Sequence, residues 1–313
     1  MTYKKRLVCL VLIIFVLLSA YIGSFLLNID FKKTSVFYSW LDSDSAEKAS
    51  RIVFYTEWEE FEFNKRNELW LITHNGYEYP ARQQRMMDFF SILTTRAEWP
   101  VRSSNESSHE RFGMDEYASR ITIYGEYSVI LDILIGKDDV MGTEAYFLKI
   151  GQNDVRSGDN TIKAYMTNAI TGWYNFRIIP ESESNPIDAG NIQRMSVFNG
   201  DQTQVFSRNY LGWDISGIDV SIPDVNGIEN YIRTILNTEG DNFVHHVSRD
   251  DPVFNQNRIV LEFGNGRILT IRISDPDESG RRLVNISGRE YIYSVPAWAA
   301  NRFFRDASSF EMR

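Results

Sequence analysis

The stretch WLITHNGYEYPA, residues 70–81, combines a tryptophan, a turn and, ten residues after the tryptophan, a proline. The stretch WDISGIDVSIPD, residues 213–224, repeats that arrangement with Trp213 and Pro223, much farther along the chain. An amphipathic run follows each of them. This agreement predicts that one structural unit occurs twice, and it decides the expected fold.

The segments around the first stretch have the periods of strands and of a helix. Aromatic and β-branched residues alternate before it, and HNGY at 74–77 contains the Asn-Gly pair of a tight hairpin turn. Tyr79 precedes Pro80 and is therefore biased towards the extended region, so the helix is expected to begin after the proline. Helical steps then place five apolar residues on one face: Met86, Phe89, Phe90, Leu93 and Ala97.

The second stretch leads into a helix in the same way. Pro223 is followed by Asp224, a residue type that caps helix N-termini. The inward face of this helix is expected to carry Ile228, Ile232, Ile235 and Leu236. Trp70 and Trp213, which open the two stretches, are expected to fill the space where helix meets sheet rather than to serve as ligand platforms.

Two later blocks of the sequence also match. RITIYGEYSVILDILIG (120–136) aligns residue for residue with RIVLEFGNGRILTIRIS (258–274), and FLKIGQNDV (147–155) aligns with LVNISGREYI (283–292). Each copy is expected to close with a helical run, at residues 161–174 and 295–307. A copy this long exceeds the unit of a solenoid repeat, so the duplication predicts two domains.

The predicted fold class is α+β. It consists of an N-terminal transmembrane helix and two tandem, internally duplicated strand-rich domains, each with two helices packed on a mostly antiparallel sheet. The expected divisions are a cytoplasmic tip with the anchor (1–28), a linker (29–50), the first repeat (51–180), a second linker (181–190) and the second repeat (191–313).

The N-terminal segment predicts the anchor. Three basic residues precede an uncharged run, LVCLVLIIFVLLSAYIGSFLL, that starts at Leu7 and ends at Leu27. At about 1.5 Å per residue the run spans roughly 30 Å, the thickness of the hydrocarbon core of a bilayer. The basic residues place the N-terminus in the cytoplasm, so the rest of the chain is expected on the extracytoplasmic side of the membrane. A cleaved signal peptide is the alternative.

The composition excludes some classes of partner. Apolar residues make up 43% of the 313 residues, which is enough for a buried core, and the formal net charge is -9. An acidic chain lacks the basic face that binds a nucleic-acid backbone. Cys9 is the only cysteine, so no disulfide can form within the chain.

The strongest candidate for a metal site in the sequence is the histidine pair. His245 and His246 lie shortly before Asp250 and Asp251 in the stretch NFVHHVSRDD. That stretch has an extended pattern, and successive side chains of a strand point to opposite faces, so the two rings would not converge on one ion. We therefore predict no metal site there.

Catalytic motifs are also not predicted. The chain has neither the Gly-x-Ser-x-Gly of a nucleophile elbow nor the Gly-x-x-x-x-Gly-Lys of a phosphate-binding loop. Adjacent carboxylates could act as an acid–base pair, but 42 acidic residues make such neighbours frequent by chance. The pairs in question are Glu59 with Glu60 and Asp138 with Asp139. No catalytic, cofactor-binding or metal-binding residue is predicted.

Three segments carry a resemblance to a known family. They are ELWLITHNGYEYPARQQRMMDFFSILTTR (68–96), RFGMDEYASRITIYG (111–125), and ILIGKD followed by AYFLKIGQNDV. In this order they resemble a bacterial family known as domain of unknown function 4340. The resemblance covers about residues 50–180 and extends more loosely to the second copy, where Phe112-Gly113-Met114 has no counterpart before Arg258.

The resemblance implies a membrane-anchored protein associated with ABC-type export systems, including relatives of gliding-motility transporters. No catalytic residues are established for that family. The leading hypothesis is therefore a non-catalytic extracytoplasmic accessory or interaction protein. One alternative is an envelope ligand- or glycan-binding module that uses a cleft between the two repeats, and a second is an envelope hydrolase that uses paired carboxylates.

Overall fold

A computed structural model of the chain describes residues 13–14, 37–167, 170–179, 189–216 and 222–311. The chain divides into two compact units, Met1–Tyr174 and Asn175–Arg313. Both units are built from antiparallel sheets and a few helices, so the predicted α+β class is confirmed.

The predicted anchor at residues 7–27 lies outside the described residues except for Ile13 and Ile14. Over the part of the chain that the structure describes, we find no helix whose length and apolar character would let it cross a membrane. The predicted linker at 181–190 also lies outside the described residues except for its last two positions.

Unit 1 contains a two-stranded ribbon and a nine-stranded sheet. Its strands are β1 (Phe37–Tyr38), β2 (Arg51–Tyr55), β3 (Glu60–Arg66), β4 (Leu69–His74), β5 (Tyr77–Pro80), β6 (Ala97–Glu98), β7 (Val101–Ser103), β8 (Ser119–Tyr124), β9 (Val129–Asp138), β10 (Glu144–Lys149) and β11 (Val155–Asp159). Its helices are α1 (Ser43–Glu47), α2 (Gln83–Thr94) and α3 (Thr161–Thr167), with 3-10 turns at Glu106–Ser108, Glu110–Phe112 and Ile170–Gly172. The large sheet has the order β5-β4-β3-β2-β8-β9-β10-β11-β7, and β1 pairs with β6.

Unit 2 contains one eight-stranded sheet. Its strands are β12 (Ile192–Asn199), β13 (Gln202–Asn209), β14 (Gly212–Ser216), β15 (Asn242–Phe243), β16 (Asn257–Phe263), β17 (Ile268–Ile273), β18 (Arg282–Ile286) and β19 (Ile292–Val295). Its helices are α4 (Val225–Leu236) and α5 (Ala297–Ala300), with 3-10 turns at Ala189–Asn191, Pro252–Phe254 and Ala307–Phe310. The order is β14-β13-β12-β16-β17-β18-β19-β15.

The two sheets have the same strand order once the edge strand β5 is set aside. Individual registers agree as well. Ile133 lies opposite Ile121 in unit 1, and the residues aligned with them, Ile271 and Ile259, lie opposite each other in unit 2. The central strands β8 and β9 therefore correspond to β16 and β17 position by position, which permits a residue-by-residue comparison there.

The helices α2 and α4 pack on their sheets through the faces that the sequence predicts. Both contain 12 residues. Phe89 of α2 lies against Phe54 of β2, with the ring centroids 5.3 Å apart. Leu93, Ile232 and Leu236 are also buried, which confirms the predicted inward faces over these residues. Ala97, predicted on the same helix face, lies instead in strand β6, because α2 ends at Thr94.

Trp70 is buried where α2 meets β4, and Trp213 is buried at the equivalent place in unit 2. The side chain of Gln83, in the first turn of α2, fixes this junction. Its Oε1 accepts from the backbone N–H of Trp70 at 3.0 Å, and its Nε2 donates to the Trp70 carbonyl at 3.0 Å. Both tryptophans therefore fill the space where helix meets sheet, as the sequence predicts.

The two helix starts differ from each other. Asp224 is the predicted N-cap, since its Oδ1 accepts from the backbone N–H of Gly227 at 3.0 Å. Pro80, in contrast, ends strand β5 opposite Leu71 and does not start a helix. The extended φ of proline suits an edge strand equally well, and α2 begins only after the extended residue Arg82.

Two further expectations are wrong in detail. The closing helical runs are shorter than predicted, since Pro296 holds an extended conformation and α5 has only four residues. Residues 37–50, predicted as a linker, contain β1 and α1 and belong to the fold of unit 1. This stretch is mostly polar, but Trp40 within it is buried. Trp40 packs edge-on against Trp99, with the ring centroids 5.2 Å apart, and this contact holds the stretch on unit 1.

Candidate functional site

The 3-10 turn before β8, with the sequence Phe-Gly-Met at its end, shapes a hollow of unit 1. The 3-10 helix that ends at Phe112 is terminated by Gly113, which has a φ of 74° in the left-handed region. Met114 follows and is buried against Leu148 and Val155 on the outer face of the sheet. This apolar contact holds the turn against strands β10 and β11.

Strand β9 accommodates the turn through a glycine. A Cβ at Gly136 would lie 2.1 Å from the Phe112 carbonyl oxygen and 3.1 Å from that of Gly113. Only a glycine permits so close an approach of two backbones. The residue aligned with it in unit 2 is Ser274, and the 3-10 turn before β16 there, Pro252–Phe254, lacks the Phe-Gly-Met sequence. The backbone of the Phe-Gly-Met turn thus packs directly against the Ile-Gly segment of β9.

The turn forms one wall of a hollow of about 460 Å³, which we call the unit 1 cleft. The other walls are the β2–β3 turn, the end of β9 and helix α3. Its lining residues are Thr56, Glu57, Trp58, Glu59, Gly113, Asp115, Tyr117, Ala118, Ser119, Ile135, Gly136, Lys137, Lys163, Met166 and Thr167.

Two large aromatic side chains of the cleft are unusually exposed. Trp58 is 86% exposed and Tyr117 is 69% exposed. Hydrogen bonds fix the backbone beneath each of them. Oγ1 of Thr56 accepts from the backbone N–H of Glu59 at 3.0 Å, and Oδ1 of Asp115 accepts from the N–H of Tyr117 at 3.0 Å. The rings therefore stand on ordered turns rather than on loose loops.

The charged groups of the cleft carry both signs. Nζ of Lys163 donates to the Gly136 carbonyl at 3.1 Å and to Oδ1 of Asp138 at 3.0 Å, which anchors α3 to the end of β9. Lys137 is exposed at the rim of the cleft, which also carries carboxylates on the β2–β3 turn and at Asp115. Such a surface can bind a polar ligand through ion pairs while its rings supply apolar contact.

Unit 2 also holds a hollow of about 460 Å³ beside the β12–β13 turn, with a different lining. In unit 1, Phe54 and Phe61 pack edge-on with centroids 5.3 Å apart. The equivalent positions in unit 2 carry Val197 and Gln204, which both line the hollow. Oε1 of Gln204 is buried without a hydrogen-bond partner among the described residues. The smaller and polar pair thus leaves space that two rings fill in unit 1.

The residues considered for a metal site lie outside both hollows. His245 and His246 follow the short strand β15 in a loop, so the extended stretch predicted around them is confined to Asn242–Phe243. Asp251 caps the next 3-10 turn by accepting from a backbone N–H. Within the described ranges, no group of three or more His, Cys, Asp and Glu residues is arranged to hold a metal ion.

Of the two carboxylate pairs, Asp138 and Asp139 have structural roles. Asp138 is bound by Lys163, as described above. Oδ1 of Asp139 accepts from the backbone N–H groups of Glu144 and Thr143 at 3.0 and 2.8 Å, and these bonds hold the pKa of Asp139 below its usual range. A carboxylate that is kept ionised in this way is a poor proton donor at neutral pH.

The cleft residues were missed by the sequence reasoning. The signal was weak, because Trp58 lies in the charged segment TEWEEF and Tyr117 lies in the loop after Phe-Gly-Met. Large aromatic residues inside charged turn segments have no core to fill, and this combination could have pointed to the cleft.

Comparison with protein-family models, with curated proteins and with solved structures found no match to this chain. The resemblance to the domain of unknown function 4340 family therefore stays a prediction from the quoted motifs.

Proposed function

We propose that the chain is a non-catalytic interaction protein whose working surface is the unit 1 cleft. The observation that carries the proposal is the exposure of Trp58 and Tyr117 on ordered turns around a hollow of about 460 Å³. Aromatic residues are enriched at protein interfaces, where they bury large areas at a small loss of conformational entropy. Charges of both signs at the rim would orient the partner.

The proposal includes a membrane anchor at residues 7–27, with both units on the extracytoplasmic side beside an ABC-type export system. Its support comes from the uncharged run, the basic residues before it and the resemblance described above. Tethering to a membrane raises the local concentration of a binding domain, so that individually weak contacts suffice.

We also propose that the two units derive from one duplicated unit. Their common strand order supports this, as does the equivalence of Trp70 with Trp213 in strands that pair at the same register. The duplication provides the reason why one unit can lose or gain a site while the other keeps the scaffold.

A second candidate function is the binding of a glycan or envelope polymer at the same cleft. The exposed rings favour it, because the apolar face of a sugar ring can pack on an aromatic side chain while nearby charged groups bind hydroxyls. Glu57, Glu59 and Lys137 are placed to make such bonds around Trp58.

Site-specific photocrosslinking tests both candidates. A photoreactive phenylalanine analogue at position 58 or 117 of the full chain, in intact cells, is expected to label one and the same partner. Position 127 is the matched control in the same unit, since Tyr127 is 89% exposed but does not line the cleft. Trp298, 65% exposed in unit 2, is a second control.

The labelled product then identifies the function. A protein product supports the interaction protein, and a polysaccharide product supports the glycan-binding module. The proposal would be refuted if positions 127 and 298 labelled the same product as efficiently, or if Trp58→Ala and Tyr117→Ala left the labelling from the neighbouring cleft position unchanged.

A further inference from the structure

The outer face of the unit 2 sheet brings two arginines together. Arg258 of β16 lies directly opposite Arg272 of β17. Side chains at directly opposite positions have Cβ atoms about 4.5–5.5 Å apart, and like charges there destabilise a sheet. A counter-charge from the chain or from a ligand would offset this repulsion.

Within the described residues, the chain supplies no ion-paired carboxylate to either arginine. The guanidinium of Arg258 stacks on the ring of Phe198, 4.0 Å from its centroid. Nη1 of Arg272 donates to the carbonyl oxygen of Arg249 at 3.5 Å, which is a long contact. Among the residues that the structure describes, no carboxylate forms an ion pair with either guanidinium.

A third arginine completes a hollow of about 360 Å³, which we call the arginine hollow. Arg249 lies at its rim and is positioned by a bond from Nη1 to the Arg289 carbonyl at 3.2 Å. Thr270 adds a hydroxyl beside Arg272, and the carboxylates of the lining are Asp250 and Asp251. The three arginines therefore outnumber the two aspartates in a chain whose net charge is -9.

Unit 1 shows how the same positions are neutralised. The residues of unit 1 that align with Arg258, Thr270 and Arg272 are Arg120, Asp132 and Leu134. Arg120 binds Asp132 through two parallel bonds, Nε to Oδ1 at 2.8 Å and Nη2 to Oδ2 at 2.6 Å. Unit 2 thus has a hydroxyl in place of the counter-ion and a second arginine in place of a leucine.

We propose that the arginine hollow binds a phosphate group. Arg258 and Arg272 both line the hollow, and the forked N–H donors of a guanidinium suit the oxygens of phosphate. The stacking on Phe198 fixes one fork in advance, so little freedom is lost on binding. The bound phosphate replaces the carboxylate that Asp132 provides in unit 1. The group belongs either to a soluble phosphate ester or to the head group of a lipid.

Calorimetric titration of the full-length chain in a neutral detergent tests this proposal. Inorganic phosphate, at constant ionic strength, is expected to bind saturably to the wild type. Glycerophosphoglycerol is the lipid head-group probe, and the zwitterionic glycerophosphocholine is its reference. Tighter binding of inorganic phosphate identifies a soluble phosphate ester, and tighter binding of glycerophosphoglycerol than of both other probes identifies a lipid head group.

Two variants copy unit 1 into unit 2. Thr270→Asp supplies the missing counter-ion and Arg272→Leu removes one guanidinium, and each is expected to weaken phosphate binding at least tenfold. Both relieve the repulsion between the arginines, so the melting temperature should not fall. The matched control is Arg120→Leu, which removes an arginine already paired with Asp132 and should leave the affinity for phosphate unchanged.

The proposal would be overturned by any of three results. They are the absence of saturable phosphate binding to the wild type, unchanged binding in Thr270→Asp and Arg272→Leu, or an equal loss in Arg120→Leu. An equal loss in Arg120→Leu would show that the affinity for phosphate depends only on the net charge of the chain.

Discussion

Gly136→Ala is expected to destabilise unit 1 and to open the wall of its cleft. The added methyl would lie 2.1 Å from the Phe112 carbonyl oxygen, whereas carbon and oxygen normally approach to about 3.3 Å. The contact is between backbones, so no side-chain rotation relieves it. Either β9 and the turn move apart by about 1 Å, or the turn detaches from the sheet.

The expected loss of stability follows from these two structural responses, separation of β9 from the turn or detachment of the turn. Forcing apart a packed contact costs about 1–3 kcal/mol. Detaching the turn removes Met114 from its contacts with Leu148 and Val155, and the loss of a buried methionine costs about 2–5 kcal/mol. The chain takes the less costly route, so we expect a loss of about 1–3 kcal/mol in the stability of unit 1.

Hydrogen exchange measured on peptides provides the assay. Amides of β9 should lose protection in Gly136→Ala, while those of β17 in unit 2 serve as the reference within the same sample. Gly172→Ala is the matched control, since a Cβ there would meet nothing within 4 Å. Unchanged β9 protection in Gly136→Ala, or an equal loss of protection in Gly172→Ala, would refute the expected clash at Gly136.

Three further predictions concern the core, the response to pH and the anchor. Leu93→Ala and Leu236→Ala should each lower the free energy of unfolding by about 2–5 kcal/mol in urea titrations, and losses below about 1 kcal/mol at both sites would contradict the assigned helix faces. Burial raises the pKa of Tyr231, so as the pH rises the unfolded chain loses the phenolic proton before the folded chain does. The free energy of unfolding should therefore fall as the pH rises above about 10, and it should fall less steeply in Tyr231→Phe at matched ionic strength. Equal slopes in the two proteins would contradict this prediction. An uncleaved anchor at residues 7–27 predicts a full-length protein that stays with membranes after a high-salt wash, whereas a soluble product that has lost this segment would contradict it.

The local pattern of the sequence determines the helix faces and the hairpins well. The turn between β4 and β5 has left-handed Asn75 and Gly76, as the Asn-Gly pair predicts. The inward faces of α2 and α4 follow from helical spacing alone. Both features depend on residues that are close in the chain, where the period of apolar side chains is decisive.

Contacts between distant segments could not be predicted in this way. Nothing in the spacing of residues shows that Phe112 approaches Gly136, because that contact depends on where the turn packs against the completed sheet. The opposition of Arg258 and Arg272 depends likewise on the register of two strands. A register shift of one residue would move one of these arginines to the other face of the sheet.

Both proposed sites lie where the two units differ, and the sheet explains this. The inner face of each sheet is mostly apolar and packs against a helix, and Ile133 and Ile271 there have equivalent positions and equal burial. The outer face and the strand ends carry no such constraint, since a change there leaves the core intact. Gly136 in place of Ser274 permits the close approach of the Phe-Gly-Met turn to β9. Thr270 in place of Asp132 leaves Arg258 without the ion pair that Arg120 has. Because the changes occur in opposite units, each unit is expected to bind a ligand that the other cannot. Exchanging Asp132 and Thr270 within one chain should therefore not transfer phosphate binding to unit 1 by itself. The transfer should also require an arginine at position 134.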